Sequence, residues 1–177
     1  MHYLEETFSL NKKVIIVTGG SRGIGFTLAK SLSMAGAIVI GVGRSHNINY
    51  DFSEQATYIE CNLSNHEDFE SLCNKLYKQH GSIDGLVNVA GISIENLDKK
   101  DNLVNFTNTI DFNLTSIYAA CNSVHPLMKE SGGGSIINIT SIGAFISFPK
   151  NPGYQSSKAG LTMLSKSLAL DYSSDNI

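Results

Sequence analysis

Residues 13–25, Lys-Val-Ile-Ile-Val-Thr-Gly-Gly-Ser-Arg-Gly-Ile-Gly, join a short β-branched run to a group of glycines. A run of this kind is typical of a strand that is covered on both faces. In the residues that follow, Ile24, Leu28 and Leu32 have helical spacing, which predicts a helix over 26–35. The order strand, glycine turn, helix predicts the first half of a βαβ unit.

A glycine turn between a strand and a helix suits a phosphate, because the backbone can approach closely and the helix N–H groups face the anion. The common dinucleotide fingerprint, G-x-G-x-x-G, is not met, since Leu28 stands where the third glycine would be. A P-loop fits residues 20–27 except that Phe26 occupies the lysine position, which argues against a nucleoside triphosphatase. A purely structural turn remains the alternative.

The rest of the chain alternates predicted strands and helices. The further strands are predicted at 37–42, 57–60, 84–91 and 134–140, the last of them as a buried strand. The further helices are predicted at 67–79, with Ser64 or Asn65 as cap, at 103–130, with a bend or end at Pro126, and at 152–172. After a polar lead-in at 1–12, we therefore expect one domain over 1–177. Its class is α/β, a Rossmann-type doubly wound parallel sheet in strand order 3-2-1-4-5 with helices on both faces.

A tyrosine and a lysine stand four residues apart at the start of the last predicted helix. Pro152 suits the first turn of a helix, because its missing N–H is not needed there, and Asn151 would be the cap. Tyr154 and Lys158 then lie on one face of the helix. A free phenol has a pKa of roughly 10, and a nearby ammonium and the helix N-terminus both favour the phenolate. We expect Tyr154 to act as a general acid or base, although such a pair can also simply cover a helix surface.

A serine precedes this pair. Ser141 directly follows the predicted strand 134–140, and a hydroxyl at the carboxyl end of a parallel strand faces the crevice where ligands bind. With Ser141 and Tyr154-Gln-Ser-Ser-Lys158, the chain resembles the short-chain dehydrogenase/reductase family, in particular its 3-oxoacyl-acyl-carrier-protein reductases. The resemblance covers essentially the whole chain.

The glycine turn is similar to that of the same family. Its spacing, Thr18-Gly19-x-x-x-Gly23-x-Gly25, matches the loop that holds the cofactor pyrophosphate in the short-chain reductases. It does not match the Gly-x-x-Gly-x-x-Gly of the extended, sugar-epimerase branch. The family usually continues with two more strands, a helix and a substrate loop, so the resemblance implies a C-terminally truncated domain.

The resemblance implies both catalytic and cofactor residues. Tyr154 would exchange a proton with the substrate oxygen, Ser141 would hydrogen-bond that oxygen, Lys158 would tune Tyr154 and hold the nicotinamide ribose, and Asn113 would serve a proton relay. The implied cofactor residues are Gly19, Ser21, Arg22, Gly23, Ile24, Gly25, Arg44, Asn62, Leu63, Asn88, Ala90, Gly91, Tyr154 and Lys158. Asn62 replaces the family's usual aspartate, and Val89 replaces the second asparagine of its Asn-Asn-Ala-Gly motif. Asn88 would brace the sheet as much as it binds.

The end of the second predicted strand bears on cofactor choice. An acidic residue there would bind the ribose hydroxyls of NAD, whereas an arginine accommodates the 2′-phosphate of NADP. The chain has Arg44 at this point and a second cation, Arg22, in the glycine turn. NADP is therefore the expected cofactor, with NAD as the alternative, unless both arginines are merely solvated.

Composition narrows the class of protein and its partners. A net charge of −3 gives no basic surplus of the kind that nucleic-acid binding needs. No stretch is apolar enough to cross a membrane, and no leader is evident, so we expect a cytoplasmic protein. The three cysteines, Cys61, Cys73 and Cys121, lack metal-ligand spacing and suggest free thiols with a packing role, so no metal is expected.

The expected partner is a small-molecule carbonyl or alcohol substrate. Five apolar residues could form its wall or could be core and interface residues: Ile94, Leu97, Phe145, Ile146 and Phe148. The resemblance also implies a homo-oligomer, a dimer or a tetramer. Two other hypotheses remain: a catalytically inactive nucleotide-binding regulatory or scaffold protein, and a fragment without a function of its own.

Overall fold

The computed structural model describes residues 8–46, 48–94 and 102–177. Within them, five parallel strands form one sheet in the order β3-β2-β1-β4-β5. The strands are β1 Val14–Thr18, β2 Ile38–Gly43, β3 Ala56–Glu60, β4 Gly85–Asn88 and β5 Ser135–Asn138. The predicted strand order and the parallel arrangement are confirmed.

Helices pack on both faces of this sheet. They are α1 Gly23–Met34, α2 His66–His80, α3 Asn102–Ile110, α4 Ser116–Glu130 and α5 Pro152–Tyr172. A π-helical turn, Asp111–Thr115, joins α3 to α4, and short 3-10 turns cover Ile142–Ala144 and Ser173–Asp175. The predicted continuous helix over 103–130 is thus interrupted by the π-helical turn. Pro126 lies inside α4 without ending it.

The central strand β1 separates two apolar cores. Val14 and Ile16 pack with the core formed by α2, α4 and α5, whereas Ile15 and Val17 pack with the core on the α1 side. Successive side chains of a strand point to opposite faces, so a continuous β-branched run contributes to both cores. The carboxyl end of β1 is thereby held in the middle of the sheet, where the glycine turn begins.

Helix α1 corrects part of the prediction made from apolar spacing, although Leu28 and Leu32 do pack, partly buried, against the core on this side. It begins at Gly23, inside the glycine turn, and its buried face consists of Gly25, Ala29 and Ser33. Ile24 is 62% exposed and does not belong to this face. Small side chains four residues apart let the helix lie close to the sheet, which a search for large apolar residues does not detect.

Strand β5 is the second correction. It was predicted to be buried, but none of its four residues is, and Ile137 is 52% exposed. β5 pairs with β4 and is the last strand in the order of the described sheet. An apolar run predicts a strand, but it does not predict whether a helix covers both faces.

Candidate active site

A cleft of about 630 Å³ lies at the carboxyl ends of β1, β2 and β4. Ten of the predicted cofactor residues line it: Gly19, Ser21, Arg22, Gly23, Ile24, Gly25, Arg44, Leu63, Ala90 and Gly91. Six lining residues were not predicted: Gly43, Ser45, Cys61, Val89, Ile92 and Phe112. All but Phe112 are within two positions of a predicted cofactor residue, so sequence proximity could have suggested them. Phe112 adjoins the predicted Asn113.

The glycine turn has the geometry of an anion site. Gly19 has a φ of 70°, which L side chains rarely adopt, and a Cβ there would lie 2.9 Å from the backbone nitrogen of Ala90. A Cβ on Gly25 would overlap the carbonyl group of Gly19. Arg22, the N-cap of α1, is extended and makes no side-chain cap, and the first turn contains no acidic residue. The N-terminal amides of α1 therefore face the cleft without a carboxylate, which fits a pyrophosphate.

A buried polar network fixes the strand ends beneath the cleft. The Thr18 hydroxyl accepts hydrogen bonds from the backbone N–H groups of Val89 and Ala90, at 3.2 and 3.3 Å. The Asn88 amide donates to the Asn138 oxygen at 2.9 Å, and the Asn88 oxygen accepts from Thr18 at 3.4 Å. Asn88 does not line the cleft, so its observed contacts are those of a brace between β1, β4 and β5.

Two arginines line the cleft, Arg22 in the glycine turn after β1 and Arg44 after β2. The Arg44 guanidinium lies 5.3 Å from the centre of the Phe112 ring, within cation–π range. Arg22 is exposed at the mouth of the glycine turn. Neither arginine forms an ion pair with a carboxylate in the described parts of the chain. Both cations are thus available to an anionic ligand.

The residues after β3 divide between the cleft and the surface. Leu63 is buried and lines the cleft. Asn62 is exposed, and its side-chain oxygen accepts from the backbone N–H of Ser64 at 3.2 Å. The Asn62 side chain therefore closes a local turn and is not among the residues that line the cleft.

Tyr154 and Lys158 come together one turn apart on α5. The Lys158 Nζ lies 5.9 Å from the centre of the Tyr154 ring and donates to the Ile139 carbonyl at 2.7 Å. Lys158 is only 4% exposed, and burial lowers the pKa of its ammonium group. A Cβ on Gly91 would lie 3.6 Å from Nζ, so Lys158 borders the Gly91 end of the cleft.

Asn113 sits in the π-helical turn and is fully buried. Its side-chain oxygen accepts from the Ile92 N–H, and its amide donates to the Ile92 carbonyl, both at 2.8 Å. The same amide donates to the Ser157 hydroxyl at 3.1 Å. Asn113 therefore ties the segment after β4 to α5, one residue before Lys158. The proton-relay role of Asn113 stays a prediction.

Ser141 is the N-cap of the 3-10 turn Ile142–Ala144, which packs against the first turn of α5. Its hydroxyl accepts from the Gly143 N–H at 3.1 Å, and a Cβ on Gly143 would lie 3.4 Å from that hydroxyl and 3.3 Å from Cγ of Gln155. Gln155 clamps the intervening loop, because its amide group exchanges two 2.7 Å hydrogen bonds with the backbone of Phe148. The loop that separates Ser141 from Tyr154 is thereby fixed to the helix.

Exposed apolar side chains lie in the segments that follow β4 and β5. They are Ile94, Phe145, Ile146 and Phe148, which the sequence had suggested as a substrate wall or as core and interface residues. Their exposure excludes a core role within the described fold. Leu97, the fifth suggested residue, lies outside the described residues.

Comparison with known proteins identifies the family. The model of the family described as short chain dehydrogenase matches residues 13–177. The chain belongs to the short-chain dehydrogenase family. Its family resemblance, predicted from the glycine turn and the Ser, Tyr and Lys motif, is confirmed.

Relatives in this family include two curated enzymes. The chain is 32% identical to a 3-oxoacyl-(acyl-carrier-protein) reductase of Chlamydia muridarum over 176 residues, and 30% identical to a 3beta-hydroxysteroid dehydrogenase of Mediterraneibacter gnavus over 179 residues. The alignments cover 95% and 94% of this chain but 71% and 63% of those proteins. This short-chain dehydrogenase thus spans about two thirds of their length.

A solved structure of the family agrees with the fold. The RhlG/NADP active-site complex of Pseudomonas aeruginosa superposes with a TM-score of 0.88 at 29% identity, over 96% of this chain and 71% of that chain. In the described parts of this short-chain dehydrogenase, no helix is long and apolar enough to cross a membrane. The same parts contain no group of three or more His, Cys, Asp or Glu side chains placed to hold a metal ion.

Proposed function

We propose that the chain is an NADP(H)-dependent oxidoreductase that interconverts a carbonyl and a secondary alcohol, with Tyr154 as general acid and base. Membership of the short-chain dehydrogenase family supports NAD(P)-dependent oxidoreductase activity. The observation that carries the finer proposal is the approach of the buried Lys158 ammonium to the Tyr154 ring, at the end of a cleft whose glycine turn fits a pyrophosphate.

Each catalytic side chain has a distinct task in this proposal. Tyr154 donates its hydroxyl proton to the carbonyl oxygen during reduction and removes it from the alcohol during oxidation. Ser141 hydrogen-bonds the same oxygen and so orients the reacting carbon. Lys158 keeps a positive charge beside the phenol, which favours the phenolate form that proton donation leaves behind.

The cofactor supplies the redox chemistry, because its nicotinamide donates or accepts the hydride when it is bound. The chain contributes the binding groups: the N-terminus of α1 would face the pyrophosphate, and Lys158 would hold the nicotinamide ribose. Asn113 fixes the segment after β4 relative to the helix that carries Lys158, through its hydrogen bonds to Ile92 and Ser157.

Two arginines favour NADP over NAD. Arg22 and Arg44 both line the cleft, and an arginine after the second strand accommodates a 2′-phosphate. Two similar solved structures support this choice. One is an NADP complex, and the other is an NADPH-dependent 3-quinuclidinone reductase. We further propose that the protein acts in the cytoplasm as a homo-oligomer on a small-molecule substrate.

The test is carbonyl-dependent oxidation of NADPH. The substrate panel contains a 3-oxoacyl thioester and an oxosteroid, the classes that the two relatives suggest. We expect turnover by the wild type and a loss of about 100-fold or more in Tyr154→Phe, since a positioned acid or base typically contributes that much. Tyr77→Phe is the matched control, because Tyr77 is also half-buried but lies near the distal end of α2.

Two outcomes would contradict the proposal. NADPH binding without turnover of any substrate would favour a nucleotide-binding regulatory protein. Turnover that survives in Tyr154→Phe as fully as in Tyr77→Phe would assign the proton transfer to another group.

A further inference from the structure

A tyrosine that does not line the cleft forms a hydrogen bond to the glycine turn. Tyr50, in the segment between β2 and β3, is 7% exposed, and its hydroxyl donates to the carbonyl of Gly20 at 2.7 Å. The Gly20 N–H donates in turn to the Val42 carbonyl at 3.2 Å. Both backbone groups of Gly20 are therefore fixed, one by a strand and one by a side chain.

The surroundings of Tyr50 are built to admit its hydroxyl. A Cβ on Gly41 would overlap the Tyr50 hydroxyl, and a Cβ on Gly20 would lie 2.5 Å from it. Burial and, to a smaller extent, the neighbouring Tyr58 raise the pKa of Tyr50 to about 12. The hydroxyl therefore stays protonated across the neutral range. Tyr50 thus remains a hydrogen-bond donor to the glycine turn at any physiological pH.

A second tyrosine supports the other side of the cleft. The Tyr58 hydroxyl, on β3, accepts from the backbone N–H of Ser45 at 3.2 Å. Ser45 lines the cleft directly after Arg44. Gly43 leaves room for this contact, because a Cβ there would lie 2.8 Å from the Tyr58 hydroxyl. The segment that carries Arg44 is therefore anchored to β3 through Tyr58.

The two tyrosines belong to one aromatic cluster, formed by Phe26, Tyr50, Phe52 and Tyr58. The rings of Tyr50 and Tyr58 contact each other edge to face, with centroids 5.9 Å apart. Phe26, in the first turns of α1, lies 5.6 Å from the Tyr50 ring and 5.4 Å from the Phe52 ring. The aromatic cluster connects α1, β3 and the β2–β3 segment, and none of its members lines the cleft in the described chain.

We propose that Tyr50 and Tyr58 are positioning residues for the cofactor, which hold the glycine turn and the Arg44–Ser45 segment at a fixed separation. The proposal rests on the proposed NADP(H) function, and it assigns to the aromatic cluster the spacing between the pyrophosphate subsite and the 2′-phosphate subsite. Tyr50 acts through the Gly20 carbonyl and Tyr58 through the Ser45 N–H, so each hydroxyl controls a different subsite.

The two hydroxyls can be removed one at a time and binding measured by titration calorimetry. Tyr50→Phe frees the glycine turn, so we expect the affinity for NADP+ to fall about three- to tenfold, as for loss of one ordered hydrogen bond. The affinity for 2′,5′-ADP should fall less, because that ligand lacks the pyrophosphate. Tyr58→Phe frees the segment beside Arg44, so it should lower the affinity for both ligands, each of which carries the 2′-phosphate.

A third tyrosine provides a matched control. Tyr172 is also 7% exposed, its hydroxyl also donates at 2.7 Å, to the Asn122 side chain, and burial raises its pKa to about 12 as well. Tyr172 lies at the end of α5 and does not line the cleft. We expect Tyr172→Phe to lower the melting temperature about as much as Tyr50→Phe while leaving both affinities unchanged.

The outcomes separate this inference from the proposed function. If the wild type does not bind NADP+, the proposed function fails and the inference fails with it. If the wild type binds but Tyr50→Phe and Tyr58→Phe bind as Tyr172→Phe does, the tyrosines are structural only and the inference alone is overturned. Should Tyr50→Phe not fold, Tyr58→Phe still decides, because it removes one acceptor from a half-buried side chain.

Discussion

Replacing Gly25 with alanine should damage both stability and cofactor binding. In an unobstructed helix this change stabilises by about 1 kcal/mol, because alanine has the higher helix propensity. At Gly25, however, the new Cβ would overlap the Gly19 carbonyl and lie 2.7 Å from its carbon and 3.2 Å from Cα of Gly20. All three atoms are backbone, so the contact can be relieved only by moving the glycine turn away from α1. Such overpacking typically destabilises by about 1–3 kcal/mol.

We therefore expect Gly25→Ala to lose up to about 2 kcal/mol in the free energy of unfolding, once the propensity gain is subtracted. NADP+ affinity should fall together with stability, because the displaced turn carries the proposed pyrophosphate subsite. Chemical denaturation and calorimetry measure the two quantities. Gly160→Ala on α5 is the control, since its Cβ would meet the end of the flexible Leu114 side chain, which can move. A Gly25→Ala protein with wild-type stability and wild-type affinity would refute the close-packing argument.

Two further predictions concern ionisable groups. Burial alone would raise the pKa of Asp84, but hydrogen bonds from Lys13, the Val14 N–H and Ser82 outweigh it and hold the pKa below its ordinary value. A carboxyl group whose pKa is lower in the folded than in the unfolded protein stabilises the fold at pH values above the unfolded-state pKa. This stabilisation is lost as the pH falls. Asp84→Asn should thus be less stable than the wild type by about 1 kcal/mol at pH 7. Urea unfolding near pH 3 should show a smaller difference in stability between the two proteins, and an unchanged difference would contradict this. Burial also raises the pKa of Cys73 and of Cys121 to about 12. A thiol reagent at pH 8 should therefore label these two cysteines only after unfolding, and rapid labelling of the native protein would contradict their burial.

The sheet was predictable because its signals are local. The β-branched run 14–17 fills both cores, as expected for a central parallel strand, and the turn after it has the glycines that the backbone geometry requires. Asn65 caps α2, one of the two residues proposed, through its contact with the Asp68 N–H. Signals of this kind depend on a few consecutive residues, and the surrounding fold does not override them.

Other features depend on contacts between distant segments, and these were missed. Phe112 enters the cleft because the π-helical turn brings it beside Arg44, which is 68 positions earlier. The exposure of Ile137 depends on what covers β5, and residues 135–138 carry no information about that. The hydrogen bond from Tyr50 to Gly20 likewise spans 30 residues. Spacing rules describe one element at a time and cannot detect such pairs.

The burial of the Lys158 ammonium group is hard to explain by the stability of the fold alone. Burial disfavours its ammonium group, and among the described contacts one carbonyl, that of Ile139, accepts from it. An apolar side chain of similar length, such as methionine, would fill the same space without a desolvated charge, and such exchanges are often neutral or stabilising. The burial of this cation, next to a tyrosine ring and the end of a cleft, supports the role proposed for Lys158. This argument is independent of the glycine turn, and it points to the same end of the sheet.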